Sequence, residues 1–116
     1  MAGNNETDIT KIILSEVIAK MKEIYGSKLK EILLYGSYAK DEQDEESDID
    51  IMLLIDMNDE NLKSYDKRLN DVVSDIGYKY MKVISVIDMS YRKFNDWANV
   101  VPFYKNVVNE GVVLYG

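Results

Sequence analysis

The stretch LLYGSYAKDEQDEESDIDIMLLID, residues 33–56, constrains the fold more than any other part of the chain. Its two apolar ends read as strands. The first, Leu29 to Tyr35, stops at Gly36. The second, DIDIMLLID, begins as an alternation and becomes continuously apolar, the pattern of a strand running from an exposed rim into a covered sheet. Twelve positions separate Gly36 from Asp48 (48 − 36), which leaves room for a helical turn over Ser37 to about Gln43 and a return beside the first strand. Asp41 to Glu46 reads as a solvated spacer.

The remaining segments fall into place around this pair. Ile9, Ile12, Ile13, Val17, Met21 and Ile24 lie near one helical face, with Asp8 or Thr10 as cap and Gly26 as stop. A helix is expected from Asn58 or Asp59 to Gly77, burying Leu62, Tyr65, Leu69, Val72, Val73 and Ile76. MKVISVIDM reads as a third strand, two short helices flank Pro102, and GVVLYG is a last extended segment. Residues 1–7 read as a disordered tip. At 116 residues, the order helix, strand, strand, helix, strand, helices, strand implies a single α/β domain over 1–116, with a small mixed β-sheet packed with helices.

Composition narrows the chemistry. There is no cysteine and no histidine, so thiolate or imidazole metal sites and Ser-His-Asp triads are excluded. Absent cysteine also makes a reducing cytoplasm the default compartment. The polar, acidic start is unlike a signal peptide, and no apolar run reaches the roughly 20 residues of a membrane span. A formal charge of −7 argues against long nucleic acid as a partner, whose phosphates need clustered Lys and Arg. A nucleotide accompanied by a divalent cation is compatible, because the cation reverses the local field.

Residues two apart on a strand point to one face, so Asp48 and Asp50 project together. Two carboxylates so close repel unless a cation or proton lies between them. Mg²⁺ takes oxygen ligands and shares its shell with substrate phosphates, which makes the Asp-x-Asp pair a template for a metal-bound triphosphate. Gly36 lets the backbone approach a ligand without a Cβ, and the amides and hydroxyl at Ser37 can hold phosphate oxygens. Taken singly, a Gly-Ser after a strand is usually a turn and an Asp-x-Asp usually a solvated strand end. Together, at this spacing, they point to a site.

The string GSYAKDEQDEESDIDIMLLID resembles the signature of the nucleotidyltransferases of the DNA polymerase β superfamily, specifically the minimal single-domain (MNT) type of bacteria and archaea. The tail KVISVIDMSYRKF…PFYKNVVNEGVVLYG resembles the end of such proteins, so the similarity covers most of the chain. The resemblance implies a polymerase-β-like nucleotidyltransferase fold. It also implies a transferase that uses Mg²⁺ (or Mn²⁺) to move a nucleoside monophosphate, commonly AMP from ATP, to a hydroxyl acceptor. Carried over by position, Gly36 and Ser37 would hold the triphosphate, Asp48 and Asp50 would ligate metal and carry the catalysis, Ser47 would support Asp48, and Lys40 could face phosphate. Minimal members often work beside a small helical partner in toxin–antitoxin-like pairs, which implies the antitoxin-like half here. A homodimer is the alternative assembly.

Two positions depart from the pattern. The second glycine of the signature falls at Asp41, a residue type that tolerates left-handed backbone angles. The third carboxylate, contributed in active members by a later strand, falls at Ser85, and Asp88 lies an odd number of residues beyond it, on the opposite face of a regular strand. A missing general base commonly costs about 10²–10⁴-fold in rate. The alternative is therefore a catalytically weakened module that binds nucleotide or partner. The aromatic segment FNDWANVVPFY reads as packing in short helices, or else as an exposed docking patch.

Overall fold

The computed structural model describes residues 5–44 and 47–116. Part of the expected disordered tip, residues 1–4, lies outside the described residues, whereas Asn5 onward is already helical. Helix α1 spans Asn5–Tyr25 and ends at Gly26, whose φ of +57° only glycine adopts freely. Strand β1 follows at Leu29–Tyr35, bounded as its apolar run predicts. A single 3₁₀ turn, Gly36–Tyr38, replaces the longer helical turn expected over 37–43. Strand β2 is Ile49–Ile55.

The single helix expected over residues 58–77 is in fact two. Helix α2 covers Asp59–Lys63 and α3 covers Asp66–Tyr80. Asn58 caps α2 by accepting from the Asn61 amide at 2.8 Å. The Ser64 hydroxyl then donates to the Asn61 carbonyl at 2.6 Å, a local bond that competes with helix continuation. Gly77 does not end α3. The left-handed cap is Met81, at φ 54°, while the Lys82 amide donates to the Gly77 carbonyl. Strand β3 (Ile84–Ser90), helix α4 (Tyr91–Trp97), helix α5 (Pro102–Glu110) and strand β4 (Val112–Tyr115) complete the chain. Pro102 opens α5, where its missing N–H is no loss.

The sheet order is β3-β2-β1-β4, with β1 antiparallel to β2 and β4 and β2 parallel to β3. It is the mixed sheet packed with helices that the element order implies. Side chains alternate across it. One face, with Ile32, Leu34, Ile49, Ile51, Leu53 and Ile55, packs on Ile13, Val17 and Met21 of α1 and Leu69 and Ile76 of α3. The other face, with Leu33, Met52 and Leu54, packs on Phe94 of α4 and Val107 of α5. Covering on both faces explains why β2 turns continuously apolar. Ile9 and Ile12, expected on the buried face of α1, are exposed, whereas Ile13, next to Ile12, is fully buried and the buried stripe runs on through Val17 and Met21.

Candidate active site

The two halves of the proposed site meet at one end of the sheet. In the β1–β2 register Tyr35 pairs with Asp50, which brings the Gly36 turn beside the start of β2. The approach is tight. A Cβ built on Gly36 would overlap Asp50 Oδ2 and lie 3.3 Å from its Cγ. Gly36 also has φ +75°, so glycine is required here twice, for backbone angle and for contact with the carboxylate. Asp50 is on the α4–α5 face of β2, and exposed Asp48 immediately precedes the strand.

Electrostatics follow from this crowding. Partial burial, and secondarily the Asp48 charge, push the Asp50 carboxyl above the usual carboxylate range. Burial raises Tyr35 as well, with Asp50 adding to it. A cation placed by these carboxylates would relieve both the desolvation and the repulsion. The donor set therefore fits a hard divalent ion that completes its shell with water and phosphate oxygen. Among the described residues, no group of three acidic side chains is disposed to hold a metal.

Ser85 is the register partner of Asp50 in the parallel β2–β3 ladder, so the two side chains share a face. Asp88 pairs with Leu53, whose side chain belongs to the opposite, α1–α3 face. Asp88 is thus turned away from Asp50, as the odd spacing predicts, and no bulge interrupts the β2–β3 register. It faces a shallow hollow shared with Asp59, Leu62, Lys63 and Asp66.

The intervening loop holds the other expected residues. Asp41 has φ 58°, the left-handed conformation that glycine would supply at this point of the signature. The turn is tied by the Ala39 and Lys40 amides donating to the Gly36 carbonyl and the Glu42 amide donating to the Ser37 carbonyl. Ser47, expected to support Asp48, is engaged with Asp44 instead. Its hydroxyl donates to Asp44 Oδ1 at 3.1 Å and accepts from the Asp44 amide at 2.9 Å. Lys40, expected to face phosphate, places Nζ 3.0 Å from Glu110 Oε2. That bond raises the lysine's pKa.

Sequence reasoning missed the contribution of α5. A cleft of about 200 Å³ opens beside Gly36, lined by Tyr35, Gly36, Lys40, Phe103, Asn106, Val107 and Glu110. Phe103, Asn106, Val107 and Glu110 recur at helical spacing and form one stripe of α5. The 3.6-residue period could have revealed the stripe, but nothing in the sequence told which element it faces. Within the aromatic tail Phe94 is buried, as the packing reading expects, while Trp97 and Phe103 are 49% and 43% exposed.

Comparison with known proteins decides the family. The model of the nucleotidyltransferase domain matches residues 14–114. The chain belongs to the nucleotidyltransferase domain family. A Methanocaldococcus jannaschii protein named "putative protein adenylyltransferase" is 36% identical over 102 residues, covering 88% of this chain and 94% of that one. A second of the same name and organism is 33% identical over 88 residues, covering 72% of this chain and 60% of the other. Among solved structures, a toxin–antitoxin with AMP-PNP aligns with a TM-score of 0.58 at 22% identity, over 89% of this chain and 73% of that one. A tri-AMPylated Shewanella oneidensis HEPN toxin in complex with MNT antitoxin aligns with a TM-score of 0.55 at 18% identity, over 91% and 71%. At these identities the structures establish a shared fold. This nucleotidyltransferase-family chain therefore shares its fold with those structures. Among its described residues no helix is long and apolar enough to cross a membrane.

Proposed function

We propose that this protein transfers AMP from ATP to a hydroxyl acceptor on a partner protein, with Mg²⁺ (or Mn²⁺) as the cofactor. The observation that carries the proposal is the contact of Gly36 with the Asp50 carboxylate, beside Asp48. It supports this reading because a Cβ-free backbone turn beside paired carboxylates can share a triphosphate and its cation. Gly36 and Ser37 would hold phosphate oxygens, while Asp48 and Asp50 would hold the cation. A bound Mg²⁺ supplies charge neutralisation on the phosphates and a lower pKa for the acceptor hydroxyl. The acceptor hydroxyl gives its proton to water, its oxygen forms a bond to the α-phosphorus as the bond to the bridging oxygen breaks, and pyrophosphate leaves in line.

The naming of the archaeal relatives as adenylyltransferases supports AMP as the transferred group. The toxin–antitoxin complexes with which the fold aligns support a small helical partner and an antitoxin-like role. Cytoplasmic residence suits a chain without cysteine whose substrate is ATP. Incubation with labelled ATP, Mg²⁺ and a candidate helical partner tests the proposal. Label should appear on the partner and disappear with Asp48→Ala. No label, with the wild-type chain and partner both folded, would contradict transfer.

One observation favours a second reading. Ser85 stands beside Asp50 where an acid would complete the site, and the described residues offer no three-acid group. On this reading the chain binds nucleotide and partner but turns over slowly or not at all. Nucleotide binding without label transfer is its signature.

A further inference from the structure

The cleft between β1 and α5 is unexplained by the phosphate and cation sites, yet it opens directly from Gly36. Its wall is unusual for a solvent-facing helix surface. Phe103 is 43% exposed, and its ring meets Tyr35 edge-on, with centroids 5.7 Å apart and planes at 84°. Asn106, one turn further along α5, presents an exposed carboxamide on the same stripe, flanking buried Val107. An aromatic face plus a carboxamide at the edge of a phosphate site is a combination suited to a nucleobase. Aromatic side chains stack bases, and a carboxamide offers one donor and one acceptor to adenine's amino group and neighbouring ring nitrogen. The far rim carries Glu110, a carboxylate that accepts from an amino group and repels a carbonyl oxygen at the same position.

We propose that the Tyr35–Phe103–Asn106 cleft is the adenine subsite of this protein, with Phe103 stacking the base and Asn106 reading its amino edge. The assignment rests on the triphosphate site proposed at Gly36–Ser37 and Asp48/Asp50. It makes α5 the element that determines nucleotide specificity, and it accounts for an exposed phenylalanine that packing alone leaves half uncovered. Tyr35 acts indirectly, by holding the Phe103 ring upright against the sheet.

Calorimetry with three probes separates this inference from the reading beneath it: ATP, GTP and inorganic tripolyphosphate, each with Mg²⁺. Wild type should bind ATP more tightly than GTP. Phe103→Leu, which keeps an apolar side chain against Tyr35, and Asn106→Ala, on an exposed position, should each weaken ATP about tenfold. Neither should change tripolyphosphate binding. ATP binding unchanged in both variants would overturn the inference. So would equal affinity for GTP and ATP, or a parallel loss of tripolyphosphate, which would make these residues part of the phosphate hold. A wild-type chain that binds neither ATP nor tripolyphosphate would overturn the site itself, a different failure from ATP binding that ignores α5.

Discussion

Asp50 and Ser85 are direct register partners on one face of the parallel β2–β3 ladder, and Asp88 is locked on the other face opposite Leu53. On the proposed reading, position 85 is where a third carboxylate would share a face with Asp50. Replacing Ser85→Asp should supply it. If transfer is limited by that missing acid, label transfer should rise by about 10²–10⁴-fold, the usual worth of a positioned general base. Without Mg²⁺ the same variant should melt below wild type, because a third carboxylate joins two that already repel. A variant with unchanged transfer and unchanged melting would show that position 85 does not face the cation.

Gly36→Ala combines a left-handed backbone angle with a Cβ driven into the Asp50 carboxylate. Strain of this kind costs about 1–3 kcal/mol. Denaturant unfolding should show a loss in that range, and ATP binding in Mg²⁺ should fall further than stability does, since Asp50 must move aside. Equal binding in Gly36→Ala and wild type would contradict the close contact.

Asp88 lies on the opposite face, where burial first, and the nearby Asp66 and Asp59 charges after it, raise its pKa. A carboxyl raised in the folded state contributes stability that is fully present below its unfolded pKa and lost as pH rises through its folded pKa. Asp88→Asn removes that dependence. The variant should therefore match wild type in acid and exceed it in melting temperature near neutral pH, with ATP binding unchanged. Lost binding in Asp88→Asn would return this residue to the site.

Lys40 is held by Glu110 across the mouth of the cleft. Both side chains are partly exposed, so breaking the pair should change stability little. Freed of its partner, Lys40 can turn to phosphate. Glu110→Gln should leave unfolding nearly unchanged and tighten tripolyphosphate binding several-fold. Weaker binding would show that Glu110 positions the lysine productively rather than competing for it.

Much of this was legible in the residues because it depends on short-range rules. Gly36 stops β1, period-two spacing separates Asp48 and Asp50 from Ile49 and Ile51, and odd spacing puts Asp88 on the wrong face for the site. Even the substitution of Asp41 for glycine was readable, since aspartate tolerates the φ of 58° found there. Other features depend on side-chain bonds that no periodicity encodes. The Ser64 hydroxyl bonds back to the Asn61 carbonyl where α2 gives way to α3, and the Asp44–Ser47 bonds engage the Ser47 hydroxyl within the loop. The Lys40–Glu110 pair and the α5 wall join segments far apart in sequence, so only the completed packing brings them to Gly36.

The central claim is that Asp48 and Asp50 bind a cation together with the nucleotide held at Gly36. Titration of ATP into the wild-type chain and into Asp50→Asn, each with and without Mg²⁺, measures it most directly. The account predicts that Mg²⁺ tightens ATP binding at least tenfold in wild type and has no effect in Asp50→Asn, which removes a ligand charge while keeping the side chain's shape. Mg²⁺-independent binding in wild type, or the same Mg²⁺ enhancement in Asp50→Asn, would contradict it.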